Sequence, residues 1–527
     1  MGRAKELHYY NGKLKGEYLS DVDCERLDFI RKASDANSTV TDLKNVIFNL
    51  DDNAIDQILA QQSNENVELS QGELRPMQTT GVAFLYFAKR CLLGDSVGLG
   101  KTVQIAGFMN MLSNDAEAEG RTHRYLAVTE TSIVPQFHRE LIKFTGDYSY
   151  VLPVSTAGKV RDFLKYYDDD EMPNLVGSTS LIQQDIFIQY LMSKVAKGEE
   201  FPYDTLIIDE SAVLGNKNTK LYKNAEFLRN HVKNVVILNA TPFESNLKIF
   251  YSQLDFVDPT LLPVKTNFEK RYCEMKQGNY TNYATPTGKY KNQKEFKALV
   301  GYRYFARTRK ATGAVMEGCT SKLVATPLTS EQKKILRETS MPHMVFDNPS
   351  YFDDTIPFNG ETSPKAGALM KALTGKIRYE GGWDTSQTVL VYSQYKESQT
   401  NLKRYLDSHG IPTNIMNGDT TQEDRKNLIQ GFQDGEYRVL ITNVMKGLNF
   451  GNCNYVVIFT TPGNVNHLVQ FEGRSTREHD IRNKHLMLLC TDGPERKRFD
   501  EVLKERAKAS DAFAGSDHSL IMSLLLN

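Results

Sequence analysis

Short, largely apolar runs, each closing on a polar turn and alternating with helical patterns, occur in two series along this chain. In the first they lie at residues 125–128, 205–208 and 235–238. In the second they lie at 389–392, 439–442, 456–459 and 486–489. Runs of Val, Ile and Leu without alternation read as strands buried on both faces. Strands that alternate with helices read as a doubly wound parallel sheet, with ligand loops at the carboxyl ends of its strands. Two series predict two such α/β lobes, at 71–263 and 363–510. Ahead of them, residues 1–70 read as a small accessory domain, with a hairpin at 7–14 and a helix at 20–31. Residues 264–362 form a linking and protrusion region, and 511–527 a tail.

The strongest local signal for chemistry lies in Gly94-Asp95-Ser96-Val97-Gly98-Leu99-Gly100-Lys101-Thr102. A turn of this kind before a helix points consecutive N–H groups, and the positive end of the helix dipole, at a phosphate. Gly98 and Gly100 allow the close backbone approach, Lys101 reaches the β- and γ-phosphates, and the Thr102 hydroxyl serves Mg²⁺. Asp95 stands where the strict pattern has glycine. Taken alone, the segment also fits an ordinary glycine turn capping a helix. About 108 residues on, the run at 205–208 ends in Asp209-Glu210. Asp209 suits a Mg²⁺ ligand acting through water, and Glu210 a general base for the attacking water. Taken alone, that pair also fits plain surface.

Bulk properties exclude little. Lys and Arg total 64 against 65 Asp and Glu, so there is no global basic field and any nucleic-acid surface has to be local. The segment 265–310 is the local candidate, with twelve Lys/Arg against three acids and interleaved tyrosines. It fits duplex contacts, and it fits equally a linker with solvated charges and buried tyrosines. The six cysteines show neither a C-x-x-C pair nor zinc spacing, as expected of free thiols in a reducing compartment. The apolar stretch at 520–526 is far shorter than the ~20 residues a spanning helix needs. A soluble, intracellular protein is expected, in a bacterial or host cytoplasm or in a nucleus, with no membrane partner.

Further motifs follow in a fixed order. Leu74-Arg75-Pro76-x-Gln78 precedes the phosphate loop. Val128-Thr129-Glu130-Thr131-Ser132 and Asn239-Ala240-Thr241-Pro242-Phe243-x-x-Asn246 follow it. Val391-Tyr392-Ser393-Gln394-Tyr395, Thr442-Asn443 and Gln470-x-x-Gly473-Arg474-x-x-Arg477 close the series. The set resembles the Swi/Snf-type ATPases of helicase superfamily two over about residues 71–495. That branch also carries Asp at the position of Asp95. The compactness is that of a phage, viral or bacterial member.

The resemblance implies two RecA-like lobes with an ATP cleft between them, and ATP and Mg²⁺ as cofactors. Gln78, Thr241 and Gln470 then belong to the nucleotide site. Arg474 and Arg477 act as arginine fingers; the bland alternative is a pair of surface arginines. Phosphate-backbone contacts fall to Thr131, Ser132, Thr179, Ser180, Ser393, Gln394, Thr442 and Asn443, which position without reading sequence. Ala212 departs from the family's histidine, a residue that in relatives helps couple hydrolysis to lobe movement. The leading expectation is a double-stranded-DNA translocase that remodels protein–DNA complexes or branched DNA. A strand-separating DNA or RNA helicase and an ATP-binding scaffold with weak turnover are the alternatives. Residues 1–70 either dock a partner protein or cover apolar surface, and the sequence leaves the oligomeric state open.

Overall fold

The computed structural model describes residues 69–501, except 154, 168–171, 241, 243–246, 278–283, 293–295, 297–298, 302, 308–319, 378–383, 445–452, 454 and 462–484. Residues 1–68 of the accessory domain expected at 1–70, the tail at 511–527, and Thr241, Gln470, Arg474 and Arg477 lie outside the described residues. The chain divides into two compact units between residues 312 and 313.

The first unit opens with α1 (Pro76–Ala88) and β1 (Arg90–Leu93), and the glycine loop then leads into α2 (Lys101–Ala118). There follow β2 (Tyr125–Thr129), β3 (Ser149–Leu152), β4 (Asn174–Ser178), β5 (Thr205–Ile208) and β6 (Asn234–Leu238), joined by helical crossovers. After α3 (Leu247–Val257) and the helix Lys265–Tyr272 come β7 (Cys273–Gln277), β8 (Ala284–Tyr290) and β9 (Tyr304–Phe305). Seven strands form one sheet in the order β3-β4-β2-β5-β6-β1-β9, and every pairing is parallel. Strands β2, β5 and β6 are buried along their whole length, because crossovers cover both faces. Threonine caps set helix starts: Thr156 and Thr219 accept N–H groups from Lys159 and Tyr222.

The segment at 265–310 is largely built into this unit. Tyr272, Tyr304 and Phe305 are core residues, and β7 and β8 form a separate antiparallel ribbon. Arg303 is buried, bonding Asp258 at 2.9 Å and the Ala88 carbonyl at 3.1 Å. Tyr280, Tyr283 and Tyr302 lie outside the described residues.

The second unit holds β10 (Thr320–Thr326), α4 (Pro364–Leu373), β11 (Val389–Tyr392), α5 (Lys396–Ser408), β12 (Thr413–Met416), β13 (Val439–Thr442), β14 (Tyr455–Ile458) and β15 (His485–Thr491). Its sheet, β10-β15-β14-β11-β13-β12, is again parallel throughout. The two-sheet α/β architecture expected from the apolar runs is therefore the observed one. Strand bounds match to within a residue or so, except that β15 extends beyond 486–489 at both ends. Cys91, Cys273, Cys453 and Cys490 are free and buried. Among the described residues no helix is long and apolar enough to cross a membrane.

Candidate nucleotide and nucleic-acid site

Sheet order decides which loops meet. Strands β5, β6 and β1 are consecutive neighbours, with Ile208 paired to Ile237 and Leu93 to Leu238. Their carboxyl ends therefore bring together the Asp209-Glu210 turn, the loop that starts at Asn239, and the glycine loop. Two backbone bonds continue the register past the strands, from Asp209 N–H to the Val128 carbonyl at 2.9 Å and from Asn239 N–H to the Leu93 carbonyl at 3.1 Å. This is where a doubly wound sheet places its ligand.

The glycine loop is held open by conformation and by its neighbours. Gly98 and Gly100 have φ of 91° and 76°, the left-handed region that glycine adopts without strain. Gly100 is also the N-cap of α2. A Cβ there would meet the Gln78 amide nitrogen at 2.3 Å. Gln78 is buried, accepts from the Arg75 N–H at 3.1 Å and donates to the Leu99 carbonyl at 3.4 Å. The Lys101 ammonium donates to the Asp95 carbonyl at 2.7 Å and to the Ser96 carbonyl at 3.5 Å, so it lies over the loop it is expected to serve.

Asp95 explains its own presence. Its carboxylate is fully buried and accepts from Arg307 Nη2 at 2.6 Å, Nε at 3.2 Å and backbone N–H at 2.9 Å, and from Gln104 Nε2 at 3.0 Å. Arg307 also donates to the Gln104 carbonyl oxygen at 3.2 Å and to the Met77 backbone carbonyl, and its guanidinium lies 4.6 Å from the Phe305 ring centre. One arginine beyond β9 thus clamps the glycine loop, α1 and α2 together. The sequence hinted at this only by placing a charge inside a loop that had to be buried. Nothing local identified the partner.

Asp209 and Glu210 sit at the end of β5. Thr129 Oγ1 donates to Asp209 Oδ2 at 3.1 Å, and the Glu210 N–H donates to Oδ1 at 2.9 Å. Burial pushes the Asp209 carboxyl up to about 6; Glu210 beside it adds to the rise and Lys101 opposes it. A partly desolvated carboxylate facing an ammonium fits a divalent cation shared with phosphate oxygens, since Mg²⁺ takes only one or two protein carboxylates. Among the described residues no cluster of three or more His, Cys, Asp or Glu is placed to hold a metal by itself. Glu210 adopts φ 51°, the left-handed region, despite carrying a Cβ.

The polar residues assigned to a nucleic-acid backbone fall on neighbouring strand ends in each unit. In the first, Thr131 and Ser132 follow β2 and Thr179 and Ser180 follow β4, with Thr129 paired to Ser178. Thr131 is exposed, and Ser132, Thr179 and Ser180 are partly buried. In the second, Ser393 and Gln394 follow β11 and Thr442 and Asn443 end or follow β13, with Tyr392 paired to Thr442. Gln394 is exposed, and Asn443 Nδ2 donates to its carbonyl at 3.3 Å. Ser393 and Thr442 are fully buried, and the Thr442 hydroxyl accepts from the Val444 N–H at 2.9 Å.

The model of the SNF2-related domain matches residues 76–363, and that of the helicase conserved C-terminal domain matches 369–479. The chain belongs to the SNF2-related family. The relatives of this SNF2-related protein include the Bacillus subtilis putative ATP-dependent helicase/translocase YwqA, 24% identical over 85% of this chain and 49% of that protein. They also include the B. subtilis uncharacterized ATP-dependent helicase YqhH, 22% identical over 83% of this chain and 78% of that protein. The Xenopus laevis SWI/SNF-related matrix-associated actin-dependent regulator of chromatin subfamily A-like protein 1 is 25% identical over 84% of this chain and 45% of its own. The chain thus spans about half the length of YwqA and of the Xenopus protein. Among solved structures, the Sulfolobus solfataricus SWI2/SNF2 ATPase core in complex with dsDNA aligns over 86% of this chain and 96% of that one, at 18% identity and a TM-score of 0.40.

Proposed function

We propose that this SNF2-family protein is a DNA-dependent ATPase that moves along double-stranded DNA by its phosphate backbone, displacing bound proteins or remodelling branched DNA. The observation that carries the reading is the meeting of the glycine loop, the Asp209-Glu210 turn and the Asn239 loop at adjacent strand ends of the first unit. Hydroxyl and amide side chains that reach solvent beside the strand ends support the backbone grip, Thr131, Ser132, Thr179 and Ser180 in the first unit and Gln394 and Asn443 in the second, since such groups bind phosphate without reading bases. The buried Ser393 and Thr442 do not contribute to it in this structure. The printed name of YwqA, a putative helicase/translocase, agrees with it.

In this reading Lys101 and the loop N–H groups hold the β- and γ-phosphates of ATP. Thr102 and Asp209 hold Mg²⁺, which when bound neutralises charge on the phosphate oxygens. Thr129 fixes the Asp209 carboxylate, and Glu210 takes the proton of the attacking water. Arg474 and Arg477 are assigned to the transferring phosphoryl group on the family resemblance alone.

The test is ATP turnover measured without nucleic acid and with single-stranded DNA, duplex DNA, branched DNA and RNA. Stimulation greatest with duplex or branched DNA is expected. Turnover driven only by single strands or RNA would sink the duplex reading. The absence of turnover under every condition would leave an ATP-binding scaffold.

A further inference from the structure

Ala212 stands where the family resemblance places a histidine that helps couple hydrolysis to lobe movement, and the carboxylate turn beside it is tied down within the first unit by a different group. Ser211, fully buried and next to Glu210, donates its hydroxyl to Gln253 Oε1 at 2.7 Å. The same oxygen accepts from Asn239 Nδ2 at 2.9 Å. On the other side, Gln253 Nε2 donates to the Pro242 carbonyl at 3.3 Å and to the Ile249 carbonyl of its own helix, α3, at 3.2 Å. One amide with no solvent exposure therefore has two donors on its oxygen and two acceptors on its nitrogen. That is its full capacity, and it fixes the amide's orientation, because a flipped amide would aim N–H at N–H.

The hub joins three segments: the turn after β5, the loop after β6 and α3. Glu210 stands immediately before Ser211 in a left-handed conformation that a residue with a Cβ keeps only where its surroundings hold it. The Ser211 anchor is one such hold, beside the bond from the Glu210 N–H to Asp209 Oδ1 at 2.9 Å. The Ser252 hydroxyl donates to the Gly215 carbonyl at 3.3 Å, so α3 grips the far end of the same turn.

We propose that Gln253 is a positioning residue: its side-chain amide sets the pose of the Glu210 carboxylate and couples it to the loop after β6. The inference rests on the assignment of Glu210 as base in the proposed function. Gln253 touches no reacting atom in this scheme and acts only through Ser211. A displacement of the loop carrying Asn239 and Pro242 pulls on the same amide that holds the base. The state of one loop is thereby transmitted to the other.

The experiment compares the parent with Ser211→Ala, Gln253→Met and the double variant in duplex-stimulated ATP turnover, with ADP affinity measured separately. Methionine keeps the length of the side chain and removes the amide. Ser211→Ala removes one hydroxyl and keeps the fold if methionine does not. Expected is a fall in kcat of about 10- to 100-fold, the scale of a slightly misplaced catalytic group, with KM for ATP and ADP affinity changed by no more than about twofold. The double variant loses no more than Gln253→Met alone, because both changes cut one link.

A second readout is independent of turnover. In Gln253→Met, backbone amide exchange accelerates together at residues 209–215 and 238–242 and stays unchanged at 125–129. A kcat within twofold of the parent in both single variants overturns the proposal. So does exchange that rises in one segment only. A parent without turnover defeats the assignment of Glu210 instead, and the exchange measurement then decides the coupling by itself.

Discussion

At the scale of single residues, the proposed chemistry rests on a few groups held by their neighbours. Lys101→Ala removes the ammonium that lies over the glycine loop, and Glu210→Gln removes the proposed base while keeping its shape. Each is expected to lower duplex-stimulated turnover by 100-fold or more, and Arg477→Ala is expected to do the same. ADP binding should survive in Glu210→Gln, and near-parental turnover in any one variant would refute the role given to that residue. Arg307 is a different case. It contacts Asp95 through two side-chain nitrogens, a fork that lysine cannot reproduce. Arg307→Ala leaves a fully buried carboxylate without its cation, which costs about 3–5 kcal/mol. Combining Arg307→Met with Asp95→Asn should recover much of that loss in chemical denaturation. Recovery absent in the double variant would show that the pair is not the source of the cost.

Among elements, the second unit is stitched together by one buried lysine. Lys365 on α4 donates to Asp347 Oδ1 at 2.9 Å, Glu495 Oε1 at 2.6 Å and the Phe459 carbonyl at 3.2 Å. Glu495 Oε2 accepts from the Thr491 N–H at 2.7 Å, and Thr460, whose hydroxyl donates to Asp347, accepts from the Gln394 N–H at 3.0 Å. The cluster thus links α4 to the ends of β14 and β15 and to the loop that carries Gln394. Two carboxylates face one ammonium, so one buried negative charge is left over. Burial pushes Asp347 up to about 6 from its ordinary 3.8, with Glu495 adding to the rise and Lys365 opposing it. The folded state therefore holds that proton more tightly than the unfolded state does. The stability this contributes is present below about pH 4 and lost as the pH rises to about 6. Asp347→Asn removes the dependence, so the Tm of the variant relative to the parent should climb between pH 4 and pH 7. A constant difference across that range would refute the assignment. Lys365→Met leaves both carboxylates without a cation and should cost about 3–5 kcal/mol at neutral pH.

For the whole molecule, the proposed motor tracks a backbone. A third strand paired to a duplex should be displaced in an ATP-dependent way, while a plain oligonucleotide duplex stays annealed. Unwinding of the plain duplex would replace the translocase reading with a helicase.

Much of this architecture was legible in the amino-acid order, for a physical reason. Strands covered on both faces must be continuously apolar, so 205–208 or 389–392 announce themselves without any knowledge of their partners. A left-handed turn before a helix demands glycine, so 98–102 does the same. The sequence by itself therefore determined two parallel α/β sheets and the loops at the carboxyl ends of their strands. What only the tertiary structure decided is how buried polar groups are satisfied. Asp95 finds Arg307 212 residues away, Lys365 finds Glu495 130 residues away, and Gln253 joins Ser211 to Asn239 on another loop. A buried charge or amide demands a partner, but the demand has no period and no fixed spacing. Which group answers it depends on which strand ends the sheet order sets side by side.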